Sequence, residues 1–233
     1  MSIVAPFGRL TTAMITPFKQ DGEIDWAGVE KLAAHLVSTG HDGLVLNGTT
    51  GEAPTTSDDE KDEIIKVVRK VVGSKIKIVA GAGNNETSHS VEQAKRAAKA
   101  GADALLVVTP YYNKPPQAGI AAHFTAMADA TDLPVVMYDI PGRTGIEIES
   151  DTIVKLYEHP RIVALKDAKG NVALFSTAGV GPCPSAILKK TRFAGIDAAE
   201  LASLLQKRCK ATDLVDRTEG TYIMPEEFIS LAE

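Results

Sequence analysis

The stretch from residue 104 to residue 138 begins with Ala104-Leu105-Leu106-Val107-Val108 and ends with Val135-Val136-Met137-Tyr138. Residues 117–130 between these two apolar runs carry apolar side chains at helical spacing. Brief apolar runs rich in Val and Leu are typical of strands that are buried on both faces. Two such strands joined by a helix predict a right-handed βαβ unit, and therefore an α/β fold with a parallel sheet.

The same alternation extends along the chain in both directions. Further strands are predicted at residues 12–15, 43–46, 76–80 and 162–165, and further helices at residues 25–38, 57–72, 88–100 and 150–158. Ser57 and Glu60 form a capping box at the start of one helix. Alternation at about 30 residues predicts a (β/α)8 TIM barrel. A doubly wound dinucleotide fold is the alternative, but no GxGxxG motif follows the first strand.

Composition and charge exclude several classes of function. The chain has 233 residues, 44% of them apolar, and a net charge of −5 without a long run of Lys or Arg, so nucleic acid is not an expected partner. No segment approaches the roughly 20 apolar residues that cross a bilayer, which predicts a cytoplasmic protein. The two cysteines, Cys183 and Cys209, lack CxxC spacing. The five histidines lack metal-ligand spacing, so we predict no metal and no cofactor.

Polar residues follow several of the predicted strands, where a parallel barrel builds its active site. Residues 47–52, Asn-Gly-Thr-Thr-Gly-Glu, form a glycine-rich turn whose hydroxyls and amides suit a small carboxylate. Residues 109–115 place two tyrosines on a loop stiffened by proline. Tyr138 ends the fifth strand, and Arg143 follows it as a group able to bind a carboxylate through two hydrogen bonds.

Lys166 ends the sixth strand. Burial disfavours a charged ammonium, so an amine in this position tends toward the neutral form that attacks carbonyl carbons. A structural ion pair of Lys166 with Asp139 or Asp167 is the alternative, with Arg143 then serving only a surface loop.

Four motifs, in order and spacing, resemble the dihydrodipicolinate synthase family over about residues 8–171; they are residues 46–52, 108–115, 138–145 and 165–168. The resemblance implies a barrel that condenses pyruvate with L-aspartate 4-semialdehyde through a lysine Schiff base, on the route to lysine and diaminopimelate. Another pyruvate-dependent 2-keto acid aldolase, such as an N-acetylneuraminate lyase, is the alternative. Thr49 and Arg143 favour the synthase. N-acetylneuraminate lyases usually have Gly-Ser-Thr-Gly-Glu, with serine at the position of Thr49, and lack an arginine at the position of Arg143.

The resemblance also implies the roles of single residues: the catalytic residues are Lys166, Tyr138, Thr49 and Tyr112, and the substrate-binding residues are Gly48, Thr50 and Arg143. Lys166 would form the imine with pyruvate, and Tyr138 would relay protons through Thr49 and Tyr112. Arg143 would bind the carboxylate of the semialdehyde. Tyr112 would come from a neighbouring subunit, which implies a homodimer or homotetramer.

The resemblance weakens in residues 172–233. Residues 1–171 are predicted to form strands one to six with the catalytic motifs, and residues 172–233 an atypical segment that completes or caps the barrel. Residues 192–194 and 220–223 are the nearest counterparts of strands seven and eight, with a helix from residue 197 to about residue 210. A barrel that lacks a strand exposes two sheet edges, so a catalytically silent binding or assembly protein is the second hypothesis.

Feedback inhibition is the last property on which the resemblance bears. Lysine-inhibited members of the family carry two histidines after the glycine-rich turn and a glutamate after the third strand. Asp58, Lys61 and His89 occupy the matching positions here. Because this mixed set includes a competing ammonium, the sequence predicts weak inhibition by lysine or none.

Overall fold

A computed structural model describes Phe7 and residues 10–169 of the chain. The strands are β1 (Thr11–Ala13), β2 (Gly43–Leu46), β3 (Lys77–Gly81), β4 (Ala104–Val108), β5 (Val135–Asp139) and β6 (Ile162–Asp167). The helices are α1 (Trp26–Ser38), α2 (Asp58–Val72), α3 (Thr87–Ala100), α4 (Gln117–Asp129), α5 (Pro141–Thr144) and α6 (Ser150–Leu156), with a 3-10 turn at Ala53–Thr55. The strands follow chain order in the sheet, β1-β2-β3-β4-β5-β6.

The described residues divide into two compact units. The N-terminal unit comprises residues 10–83 and 88–106, and the C-terminal unit comprises residues 84–87 and 107–169. In the N-terminal unit β1, β2, β3 and β4 pair in parallel, and in the C-terminal unit β5 and β6 do so with one register shift at Val135. Parallel neighbours joined by helices are the predicted βαβ units.

Local sequence signals account for the ends of several helices. The Ser57 hydroxyl accepts a hydrogen bond from the Glu60 amide, and the Glu60 carboxylate accepts one from the Ser57 amide. This confirms the predicted capping box, which satisfies two amides that the first turn leaves unpaired. Helix α1 begins after Asp25, whose side chain accepts a hydrogen bond from the amide of Gly28.

Burial follows the same pattern in each unit. Every residue of β2 and β5 is buried, which agrees with strands covered on both faces. In the C-terminal unit Ile120, Phe124 and Met127 line one face of α4 at helical spacing, and none of them is exposed. Apolar strands under amphipathic helices therefore form the core of each unit.

The structure differs from the predicted elements at a few places. β1 ends at Ala13, and Ile15, predicted to be its last residue, is 54% exposed. β1 and β6 are only half-buried, because in the described part of the chain each pairs with one neighbour. The short helix α5 and the 3-10 turn were not predicted. The predicted boundary at residue 171 and everything predicted beyond it lie outside the described residues.

Candidate active site

Lys166 and Tyr138 face each other at the carboxyl ends of β6 and β5. The two residues are register partners, so their side chains lie on the same face of the strand pair. The Lys166 Nζ lies 4.2 Å from the centroid of the Tyr138 ring. Burial lowers the pKa of Lys166, and it is the one cause of this shift. The sixth strand therefore ends in an amine that is shifted toward its neutral, nucleophilic form.

The predicted alternative, an ion pair of Lys166 with Asp139 or Asp167, is wrong among the described residues. The carboxylate of Asp139 instead lies 3.0 Å from the Nζ of Lys169, and the side chain of Lys169 is only 7% exposed. Asp167 accepts a hydrogen bond from the backbone amide of Lys169. Neither carboxylate holds Lys166 in its charged form.

Arg143 and Tyr112 lie on two loops that meet. The backbone amide of Tyr112 donates a hydrogen bond of 3.4 Å to the carbonyl of Thr144, the residue next to Arg143. Tyr112 has a φ of 70°, a left-handed conformation that is uncommon for a bulky residue, and is 87% exposed. Arg143 is exposed on α5. Both side chains are therefore accessible to a substrate or to another chain.

The glycine-rich turn belongs to the N-terminal unit. Asn47 and Glu52, at its two ends, both have a φ of 54°. Between them the amide of Gly51 donates to the carbonyl of Gly48, and Thr16 donates its hydroxyl hydrogen to the carbonyl of Gly51. Thr49 and Thr50 are exposed at the tip. The turn thus has a fixed backbone and exposed hydroxyls, an arrangement suited to binding a carboxylate.

Asn47 anchors this turn to its unit. It is buried, and its side-chain amide donates a hydrogen bond to the carbonyl of Lys61 in α2. A side chain at residue 81 would collide with the carbonyl of Asn47, so Gly81 is needed where β3 passes the turn. Asn tolerates the left-handed backbone better than most residues, which explains its place at the start of the turn.

The predicted site residues are found in both units, and the structure brings some of them together within each unit. The N-terminal unit holds Gly48, Thr49 and Thr50 on one turn, and the C-terminal unit pairs Lys166 with Tyr138. Sequence reasoning missed Lys169. The available signal was a second lysine three residues after Lys166, near Asp139 and Asp167. Two lysines this close to two carboxylates indicate that one of them could form an ion pair while the other stays free to react.

Parallel βαβ units whose six strands follow chain order are typical of the (β/α)-barrel class, and the last of these strands ends in a desolvated lysine. The chain belongs to the dihydrodipicolinate synthetase family, whose sequence profile matches residues 6–197.

Named relatives agree with this assignment. The chain is 58% identical to 4-hydroxy-tetrahydrodipicolinate synthase 2 of Streptomyces coelicolor over 173 residues, which is 74% of this chain and 58% of that protein. It is 61% identical to the 4-hydroxy-tetrahydrodipicolinate synthase of Acidothermus cellulolyticus over 167 residues, 72% of this chain and 54% of that protein. The chain thus spans somewhat more than half the length of these relatives.

A solved structure supports the fold class. The dihydrodipicolinate synthase of Cyanidioschyzon merolae, crystallised with lysine bound, matches with a TM-score of 0.73 at 46% identity, covering 81% of this chain and 61% of that chain. The predicted barrel class is confirmed by this similarity. Among the described residues, no helix has the length and apolarity to span a bilayer, and no cluster of three His, Cys, Asp or Glu suited to a metal ion occurs there.

Proposed function

We propose that this protein is a 4-hydroxy-tetrahydrodipicolinate synthase, which condenses pyruvate with L-aspartate 4-semialdehyde through a Schiff base on Lys166. The observation that carries the proposal is the desolvated Lys166 amine above the Tyr138 ring, without a carboxylate partner in the described part of the chain. Family membership and the names of the relatives support the choice of substrates.

The chemistry begins with attack of the neutral Lys166 amine on the ketone carbon of pyruvate. Addition of a proton and loss of water give an iminium ion, whose positive charge makes the pyruvate methyl group acidic. Loss of a methyl proton gives an enamine, and the enamine carbon then attacks the aldehyde carbon of the semialdehyde. Tyr138 is the proton relay for these steps, acting together with Thr49 and Tyr112.

Substrate binding rests on two groups of residues in this proposal. Thr49, Thr50 and the backbone of Gly48 hold the carboxylate of pyruvate, and the exposed hydroxyls of the turn support that role. Arg143 binds the carboxylate of the semialdehyde through charge-assisted hydrogen bonds. The exposure of Tyr112 supports a homodimer or homotetramer in which this side chain reaches a neighbouring site. We also propose that the enzyme acts in the cytoplasm.

Two measurements on the purified protein test this function. A coupled synthase assay should show turnover that requires both pyruvate and the semialdehyde. Borohydride reduction in the presence of pyruvate should add one reduced pyruvate to a peptide containing Lys166, as read by mass spectrometry. Cleavage of N-acetylneuraminate without any turnover of the semialdehyde would instead establish the lyase alternative, and the absence of any adduct would favour a silent binding protein.

A further inference from the structure

Lys169 is a second buried amine, three residues beyond Lys166, and its partners are unlike those of Lys166. Its Nζ lies 3.0 Å from a carboxylate oxygen of Asp139, donates a 2.9 Å hydrogen bond to the carbonyl of Ile148 and lies 3.3 Å from the carboxylate of Glu147. Burial by itself lowers the pKa of Lys169, but the hydrogen bond and charge of Asp139 and the charge of Glu147 outweigh it and raise the pKa. Lys169 is therefore a fixed cation and unsuited to nucleophilic attack.

Asp139 completes the same set of contacts from the other strand. It is fully buried, and the oxygen that faces Lys169 also accepts a 3.1 Å hydrogen bond from the backbone amide of Ile148. Its carbonyl accepts a 2.8 Å hydrogen bond from the amide of Ala168. Asp139 follows Tyr138 in β5, so its side chain lies on the opposite face of the strand from the Tyr138 ring.

These contacts fasten both ends of one loop. Residues 140–148, here called the Arg143 loop, leave β5 directly after Asp139 and end at Ile148. Asp139 binds the amide of Ile148 and Lys169 binds its carbonyl, so the end of the loop is tied back to its beginning. Gln117 of α4 adds one more tie, a 2.9 Å hydrogen bond from its side-chain amide to the carbonyl of Glu147.

The interior of the Arg143 loop is ordered in turn. The amide of Arg143 donates to the carbonyl of Ile140, and the hydroxyl of Thr144 donates to the carbonyls of Ile140 and Ile146. A loop that is rigid inside and fixed at its base holds Arg143 in one place. Lys169 follows Lys166 by three residues and binds the end of the Arg143 loop. The ion pair of Asp139 and Lys169 therefore connects this loop to the strand that carries Lys166.

We propose that Lys169 is a positioning residue that, with Asp139, fixes the Arg143 loop and so sets where Arg143 meets the carboxylate of the second substrate. This inference rests on the function proposed above. It distinguishes the two neighbouring lysines: Lys166 reacts with the first substrate, and Lys169 acts on the second substrate through Arg143. A purely structural ion pair would act only through the amount of folded protein, so its loss would lower the apparent kcat and leave the KM of both substrates unchanged.

The test uses the double variant Asp139→Asn/Lys169→Met, which removes the pair without leaving a buried charge unpaired. We expect the KM for the semialdehyde to rise at least about tenfold, because an Arg143 side chain that is displaced from the substrate carboxylate loses much of its contribution to binding. The KM for pyruvate and the yield of the borohydride adduct should stay within about twofold. Lys155→Met, which removes an exposed lysine from α6 in the same unit, is the matched control.

Hydrogen exchange gives a readout that does not depend on turnover. Amides of residues 140–148 should exchange faster in the double variant, while those of β6 should not change. Unchanged exchange in the loop, or a KM for the semialdehyde that rises no more than that for pyruvate, would overturn the proposal. If the double variant does not fold, Asp139→Asn/Lys169→Gln, which also leaves no buried charge unpaired and keeps a polar group at both positions, makes the same comparison. A wild-type protein that forms no adduct would instead refute the proposed function, while the exchange experiment would still decide whether Lys169 fixes the loop.

Discussion

The amino ends of β3 and β4 and the carboxyl ends of β5 and β6 use the same types of charged residue in opposite ways. At the amino ends the carboxylate of Asp103 accepts hydrogen bonds from Arg69 and from the backbone amide of Ile78. The Nζ of Lys77 lies 3.5 Å from the same carboxylate. Arg69 also donates to the carbonyls of Gly101, Gly73 and Ile76. At the carboxyl ends Lys166 has the Tyr138 ring and no carboxylate among the described residues.

The difference shows in how each environment acts on protonation. Burial alone raises the pKa of Asp103, but the hydrogen bonds of Ile78 and Arg69 outweigh it and lower the pKa, so the ionised form is favoured. For Lys166 burial is unopposed and favours the neutral form. A network in which every charge is paired stabilises the fold, whereas a desolvated group without a charged partner costs stability. The second pattern is the one expected of a catalytic group at the carboxyl end of a strand.

Replacing Lys166, the proposed nucleophile, is the strongest test of this comparison. Lys166→Ala should abolish the borohydride-trapped pyruvate adduct completely, because no other amine in the described region is buried without a carboxylate partner. The free energy of unfolding should stay the same or rise slightly, since a buried polar amine without a charged partner is costly. Mass spectrometry of the adduct and urea unfolding measure the two effects. Lys155→Ala is the control, and an adduct at another lysine would contradict the assignment of Lys166.

Replacing Asp103 should have the opposite result. Asp103→Ala leaves the cation of Arg69 and the amide of Ile78 without their carboxylate, so the free energy of unfolding should fall by about 2 kcal/mol. The yield of adduct per folded molecule should not change, because Asp103 lies at the amino ends of the strands. Urea unfolding followed by circular dichroism measures the loss. A large decrease in adduct yield in folded protein would show that the two ends are not separate in function.

How much of this was predictable depends on the distance in sequence over which each signal acts. Short apolar runs and the Ser57 to Glu60 capping box are local, and both predicted their elements correctly. The Arg69 and Asp103 pair joins residues 34 positions apart, and the Asp139 and Lys169 pair joins strands whose order had first to be known. Periodicity alone also could not show that β1 stops pairing before Ile15.

His123 sharpens the comparison, because it is another desolvated group of the C-terminal unit. Burial lowers its pKa from 6.5 to about 4, although its Nδ1 lies 2.9 Å from the hydroxyl of Thr87. The folded state therefore binds fewer protons than the unfolded state, and stability that is present above pH 6.5 is lost as the pH falls toward 4.

This shift gives a prediction of intermediate size. Between pH 7 and pH 5 the free energy of unfolding should drop by about 2 kcal/mol more in the wild type than in His123→Gln. Denaturant unfolding at the two pH values measures the difference, and the comparison of variants removes the contribution of the other titrating groups. Equal slopes in the two proteins would mean that the pKa of His123 is the same in the folded and the unfolded state.

The smallest effect is expected where charges are most fully paired, around Asp58 in the N-terminal unit. One oxygen of its carboxylate lies 2.7 Å from the Nε2 of His89, and the other accepts a 2.9 Å hydrogen bond from Gln93. The Nζ of Lys61 lies 3.7 Å from the same carboxylate. The resemblance matches Asp58, Lys61 and His89 to the positions that bind lysine in inhibited members of the family, and here Lys61 and His89 both contact Asp58.

Lysine should therefore inhibit weakly or not at all. An incoming ammonium would have to displace the Lys61 ammonium and the His89 ring from Asp58, and it would lose its own hydration without gaining a free carboxylate. Initial rates of the wild type with and without 1 mM lysine should agree within error. The triple variant Asp58→His/Lys61→His/His89→Glu removes the Lys61 ammonium and its pairing with Asp58, so lysine should inhibit it more strongly. Inhibition of the wild type by sub-millimolar lysine would show that the paired cluster of Asp58, Lys61 and His89 can open for a ligand. The presence or absence of a charged partner would then not separate structural from functional sites in this protein.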